Sequence, residues 1–323
     1  MSRIPSWLIK VVGLALVYFV VLALIKNGVV DSYLEITIVT ICVNIILAAS
    51  LNLITGFTGQ FSLGHAGFMA LGAYTTGIIT VSHPTIWGFM TGLLAGACLA
   101  ALVGFVIGLP TLRLSGDYLA IATLGLAEII RIVITNLKIT KGAAGLSGIP
   151  RFVDWTWLFI ITAGSVALIA NLLRSVPGRD LIAVREDEIA ASSVGVNALT
   201  AKTTAFVVGA FFGGLAGGLY ASYFFVLKPD IFNFLKSVNI LIIVVLGGLG
   251  SLTGTVIGAV LLGVVSYLLR SYPAVQDLQW VIYGLILVIV MVFRPQGLVG
   301  DRELTMAAVR RLVPGRLKKG APT

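Results

Sequence analysis

The chain places few residues capable of chemistry inside long apolar runs. Glu128 and Arg131 stand three apart in one such run, on one face of a helix and within pairing reach. Charge at that depth is costly and marks a pathway that meets both ends of a zwitterionic ligand, or a structural ion pair near the end of the run, where Leu137 and Lys138 close it. Gln60, Ser62 and His65 fall in a polar, glycine-rich stretch, residues 55–65, between two apolar runs. Non-helical backbone there must be buried in protein or line a watery cavity, so these three face a translocation path or form a hydrogen-bonded turn. Gly145-Leu146-Ser147-Gly148 has the GxSG pattern of an intramembrane serine nucleophile, which needs a histidine base on a neighbouring helix. The two histidines are His65 and His83, and Ser147 runs into Ile149-Pro150-Arg151, a loop. Cys42 and Cys98 lie in apolar runs without CxxC or Cys/His spacing, so neither a disulfide framework, a metal site nor a cofactor is expected. Arg185-Glu186-Asp187-Glu188 is a charged run of a different kind, in the longest polar interruption of the chain.

The elements that hold these residues follow from composition. Of 323 residues 58% are hydrophobic and 11% charged, against about a quarter charged in a soluble domain. With a mean hydropathy of +1.06, the solvent the chain is written for is lipid, where a spanning backbone must satisfy its own hydrogen bonds. The net charge of +9 does not read as nucleic-acid binding, because the basic residues sit between apolar runs and in the tail, where the membrane surface is their partner.

A helix crossing about 30 Å of hydrocarbon needs about twenty apolar residues. Runs at 7–25, 34–54, 66–81, 86–109, 118–137, 155–173, 203–226 and 278–293 qualify, the first as a retained span and not a cleaved signal. No proline falls in the middle of any of them. Residues 238–269 are uncharged, too long for one crossing and too short for two, and Gly247 to Gly254 is where a helix breaks into a short arm and a longer return. With residues 174–202 inside, inside segments hold 14 of the 22 Lys and Arg, and outside segments hold seven: Lys26, Lys138, Lys141, Arg151, Lys228, Lys236 and Arg270, with Arg131 left within a span. That bias obeys the positive-inside rule and puts both termini inside. Small residues recur every fourth position along Gly88, Gly92, Gly96, Ala100, Gly104 and Gly108, again along Gly209, Gly213 and Gly217, and again along Gly250, Gly254 and Gly258. Such ridges let helix backbones approach closely in lipid.

In residues 174–202, Pro177-Gly178 makes a turn and residues 180–194 form an amphipathic helix stopped by Gly195. Glu186, Asp187 and Glu188 would be repelled by anionic lipid, so this helix is expected to dock on protein. Residues 188–195, Glu-Ile-Ala-Ala-Ser-Ser-Val-Gly, resemble the EAA-type loop of ABC importer permeases, with Ile189 in place of the first alanine. Residues 51–68, 185–188, 211–220 and Phe293-Arg-Pro-Gln-Gly-Leu298 resemble branched-chain amino acid permeases of the LivM type, over nearly the whole chain. The resemblance implies a permease that pairs with a second, LivH-like permease, two cytoplasmic ATP-binding subunits and an external solute-binding protein. It also implies ATPase coupling through Arg185, Glu186, Asp187, Glu188, Ala191 and Gly195. Independently, no GxxxxGK[ST] occurs, so the chain carries no P-loop.

The expectation is an all-α, polytopic inner-membrane protein of about ten transmembrane helices, one pair broken or re-entrant. A permease domain occupies 1–297, with a coupling loop at 174–202, and a basic cytoplasmic tail occupies 298–323. Gln60, Ser62, His65, Glu128 and Arg131 are its candidate path residues, and Gly92, Gly96, Gly213 and Gly217 its helix-packing residues. It is expected to have no catalytic site and to serve an ATP-driven importer of branched-chain or other amino acids. The alternatives are a secondary transporter, which also uses broken helices, or an intramembrane serine protease.

Overall fold

The computed structural model describes residues 6–27, 31–114, 116–270, 278–294 and 296–300. The basic residues of the tail lie outside the described residues. Twelve helices are described: α1 (Ser6–Lys26), α2 (Ser32–Thr55), α3 (His65–Ser82), α4 (Ile86–Thr111), α5 (Asp117–Asn136), α6 (Trp155–Arg174), α7 (Val176–Glu186), α8 (Glu188–Ser193), α9 (Ala198–Phe224), α10 (Phe234–Gly247), α11 (Leu252–Arg270) and α12 (Gln279–Phe293). Among the described residues six helices are long and apolar enough to cross a membrane: α2, α4, α5, α6, α9 and α11. The only strands described are β1 (Leu146–Ser147) and β2 (Val226–Leu227), an antiparallel pair joining two loops at one end of the bundle.

Helix starts are set by side chains that accept the free N–H groups of the first turn. Thr85 accepts from Gly88 in α4, Asn197 from Thr200 in α9 and Asn233 from Lys236 in α10. Pro110, expected just beyond its span, lies in the last turn of α4, where a missing N–H disturbs little helix beyond it. The uncharged stretch does break, into α10 and α11, with the turn at residues 248–251 and Gly248 and Gly250 at positive φ. Its first arm begins four residues earlier than expected because Asn233 caps it. Lys236, assigned from sequence to an outside segment, is therefore inside α10, in its first turn.

At the centre α9 packs on α4, α3 and α2, and α2 packs on α11, α6 and α10. The small-residue ridge of α4 is buried along its length, from Gly88 to Gly108. A Cβ on Gly96 would stand 2.8 Å from the Gly72 carbonyl oxygen, one on Gly92 3.2 Å from Thr76 Cα, and one on Gly213 3.2 Å from Phe68 Cβ. One on Gly217 would overlap the Met69 carbonyl. Only glycine allows α3, α4 and α9 this spacing. At the end opposite α7 and α8, an Arg151–Glu35 ion pair and the Arg151 guanidinium 4.5 Å over the Tyr223 ring tie the β1–α6 loop to α2 and α9.

Candidate functional site

Between α2 and α3 the chain does not turn and leave; it runs back into the bundle. Phe57 and Gln60 N–H groups bond to the Asn52 and Ile54 carbonyls, and the Thr58 hydroxyl donates to the Leu53 and Ile54 carbonyls, folding the loop onto the end of its own helix. Residues 59–64 are neither helix nor strand, and their exposure alternates outward and inward, with Gly59 at positive φ. Phe61 faces out; Gln60 and Ser62 face in and are 4% and 1% exposed. Leu63 N–H bonds to Thr123 Oγ1 of α5 at 3.0 Å, and Ala66 N–H to Ser237 Oγ of α10 at 3.2 Å. His65, at the start of α3, is fully buried with Nε2 2.7 Å from Ser50 Oγ of α2. Among the described residues the His65 Nδ1 and both amide atoms of Gln60 have no partner. Three of the sequence-derived path residues thus lie together, Gln60 and Ser62 on a buried non-helical segment and His65 at the helix start that follows it.

Glu128 and Arg131 sit apart from that segment. Arg131 Nε bonds to Glu128 Oε2 at 2.8 Å, and its Nη1 lies 3.6 Å from Asp230 Oδ1 in the loop before α10. Both are partly exposed, near the end of α5, so the three charges clamp α5 to the α9–α10 loop.

Asn52 was not singled out by sequence, yet it organises the break in the α10–α11 pair. Its Oδ1 accepts from Gly250 N–H at 2.9 Å, and its Nδ2 donates to the Ser251 carbonyl at 3.1 Å and Thr255 Oγ1 at 2.6 Å. One buried amide therefore gives the Gly250 N–H its partner and ties the turn to α2. The Leu298 and Val299 N–H groups close the other side by bonding to the Leu246 and Gly247 carbonyls. The sequence signal was an asparagine in an apolar run. In Asn52→Leu the turn keeps its shape only with the Gly250 N–H orphaned and its ties to α2 lost, and on the order of 3 kcal/mol of stability is lost. Thermal unfolding in detergent of wild type and Asn52→Leu side by side measures it.

The polar arm of residues 174–202 differs from the single helix expected over 180–194. It is two helices, α7 and α8, and Pro177 lies inside the first turn of α7, with Ser175 as its cap. The break falls at Asp187, whose Oδ1 accepts from the Ile189 and Ala190 N–H groups at 2.8 and 3.0 Å. A short carboxylate that bonds to backbone two and three residues ahead ends one helix and starts the next. Ala191 is buried, Glu188 pairs with Lys202 of α9 at 2.6 Å, and Gly195 takes a φ of +92° at the exit. Ile189 and Val194 are 82% and 80% exposed, two large apolar side chains left uncovered on a charged arm. Arg185 reaches back to the body: its side chain packs on Gly59 and its guanidinium abuts Gly250. Arg185 and Gly250, with Phe57, Leu173, Arg174, Ile182 and Glu186, line an open cavity of ≈ 400 Å³ between the arm and the bundle.

Ser147 of the GxSG pattern is exposed in β1 and paired with Val226. Among the described residues no group of three or more His, Cys, Asp or Glu is placed to hold a metal ion.

Six long apolar helices around a glycine-spaced core, a broken pair and a projecting charged arm define a multi-pass membrane protein of the transporter kind. Residues 33–291 match the family described as branched-chain amino acid transport system, permease component, and the chain belongs to that family. It is 37% identical over 289 residues to the high-affinity branched-chain amino acid transport system permease protein LivM of Escherichia coli (strain K12), covering 79% of this chain and 67% of that protein. It is 26% identical over 322 residues to the probable LivM permease of Methanocaldococcus jannaschii, covering 83% and 93%. To the LivH permease of Escherichia coli (strain K12) it is 24% identical over 291 residues, covering 80% and 92%. No solved structure matches the chain.

Proposed function

We propose that this permease forms one half of the substrate pathway of an ATP-driven importer for branched-chain amino acids in the inner membrane. Its partners are a second, LivH-like permease, two ATP-binding subunits that dock on the arm of residues 174–202, and an external binding protein that selects the substrate. In this reading the six long apolar helices, with α1, α3, α10 and α12, make ten crossings, and both ends of the chain lie inside. The permease domain spans 1–297, the remainder being a basic tail at the membrane surface. The observation that carries the reading is the arm. It presents Ile189 and Val194 to water beside Glu186 and Asp187, and its Arg185 side chain bears on both the loop at Gly59 and the broken turn at Gly250. A push on the arm from an ATPase therefore reaches α2, α10 and α11 together. Gln60, Ser62 and His65 line the path beside that node, whereas the satisfied Glu128–Arg131 pair holds α5 in place. Co-purification tests the assignment. Tagged permease is expected to retain the candidate ATP-binding subunits, and uptake of leucine, isoleucine or valine into vesicles is expected to require ATP. Uptake driven by an ion gradient with no ATPase bound would establish the secondary-transporter alternative instead.

A further inference from the structure

We propose that Lys236 and Asn44 form a contact point for the substrate's carboxylate halfway across the membrane; this rests on the amino-acid reading above. The depth follows from α2. It has 24 residues, enough to cross the bilayer alone, and Asn44 lies midway along it. Lys236 Nζ is 3.1 Å from Asn44 Oδ1. The ammonium is thus placed at mid-membrane depth against α2, from the first turn of α10, whose Phe234 and Leu235 are themselves exposed on the bundle's flank.

The charge there is not neutralised. Among the described residues Arg131 has Glu128 and Asp230, Arg151 has Glu35, and Lys202 has Glu188, all toward the ends of the bundle. Lys236, the most deeply placed of these cations, meets only a neutral amide oxygen. Intramembrane cations face pathways or pair with anions, and this ammonium has no fixed anion among the described residues. What surrounds it is arranged for an anion that comes and goes. The next residue, Ser237, accepts the Ala66 N–H and so brings the first turn of α3, a positive helix end, alongside the first turn of α10, a second one. His65, adjacent in that turn, carries the unpartnered buried Nδ1. A passing carboxylate exchanges water for the ammonium and these helix ends. Because the permanent partner is an amide, the anion is released again once the pathway opens to the other side.

The test uses the complete importer reconstituted in proteoliposomes, with ATP inside and radiolabelled leucine delivered by the binding protein. Lys236→Met is expected to lower uptake at least tenfold while the second permease and the ATPases still co-purify, and Lys236→Arg is expected to retain more activity than Lys236→Met. The decisive variant is Asn44→Asp, which gives the ammonium a fixed counterion. It is expected to unfold at or above the wild-type temperature and yet to lose uptake to the same degree, a combination that a merely structural lysine does not produce. Wild-type uptake in Lys236→Met or Asn44→Asp overturns the proposal. Loss of the co-purifying permease in Lys236→Met also overturns it, since the ammonium then serves a carboxylate of that subunit. Failure of the wild-type complex to take up leucine, isoleucine or valine overturns the functional reading itself, a result distinct from failure of the two variants.

Discussion

Gly72→Leu leaves no folded, monodisperse permease after solubilisation, and even Gly72→Ala lowers the unfolding temperature sharply. At this point three helices meet on three glycines. A Cβ on Gly72 of α3 would overlap the Gly214 carbonyl of α9, one on Gly96 of α4 would stand 2.8 Å from the Gly72 oxygen, and one on Gly214 would stand 3.0 Å from the Gly96 oxygen. The obstacles nearest Gly72 are all backbone atoms of Gly214, so no rotamer change relieves them; α3 and α9 must separate. Separation exposes Phe68, Met69, Ala73 and Phe206, all fully buried, and lipid offers no hydrophobic penalty that would press the helices back together. The loss is therefore expected to exceed about 4 kcal/mol, the range reserved for overpacking in a core that cannot yield. Gly125→Ala is the control, because a Cβ there meets nothing within 4 Å. Size-exclusion profiles and thermal unfolding of the three proteins decide it; a monodisperse Gly72→Leu with a wild-type transition would show that the helices are not held at this spacing.

What the sequence reveals about this chain is local. Apolar runs must match the bilayer, so their ends are readable: α3 occupies His65–Ser82 where 66–81 was expected, and α6 occupies Trp155–Arg174 where 155–173 was expected. The break at 248–251 was visible because glycines cluster there. The split of the arm was not visible, since residues 180–194 are good helix formers and only the capping geometry of Asp187 divides them. Lys236 was misplaced for a related reason. A charge at the end of an apolar run reads as the water boundary, and only the structure shows that Asn233 starts α10 ahead of this lysine and that its ammonium reaches Asn44 of α2. Asn52 and Ser50 act through residues some 200 and 15 positions away, and no spacing rule connects them. In short, the span boundaries and the arm were legible, while the contacts that join the arm to the broken pair belong to tertiary structure.

That join gives the second large effect. Ile189→Asp with Val194→Asp is expected to abolish ATP-driven uptake and the stimulation of ATPase activity, while membrane insertion and unfolding temperature stay at wild-type values. Stability is spared because both side chains stand in water, and the capping bonds of α8 come from Asp187, with Ala191 as the buried anchor. Docking is not spared. Apolar side chains at the centre of an interface typically carry about 2–4 kcal/mol each, so one aspartate weakens ATPase binding by roughly 30- to 1000-fold. Charge reversal at Glu186 tests the other half of the surface: a lysine there is expected to alter the salt dependence of assembly while the Asp187 cap of α8 and the apolar contact stay intact. Arg185→Met separates docking from transmission. The ATPases still bind, but the arm no longer bears on Gly59 and Gly250, so ATP hydrolysis continues while uptake falls. Unchanged uptake in Ile189→Asp/Val194→Asp would remove the arm from the energy path altogether.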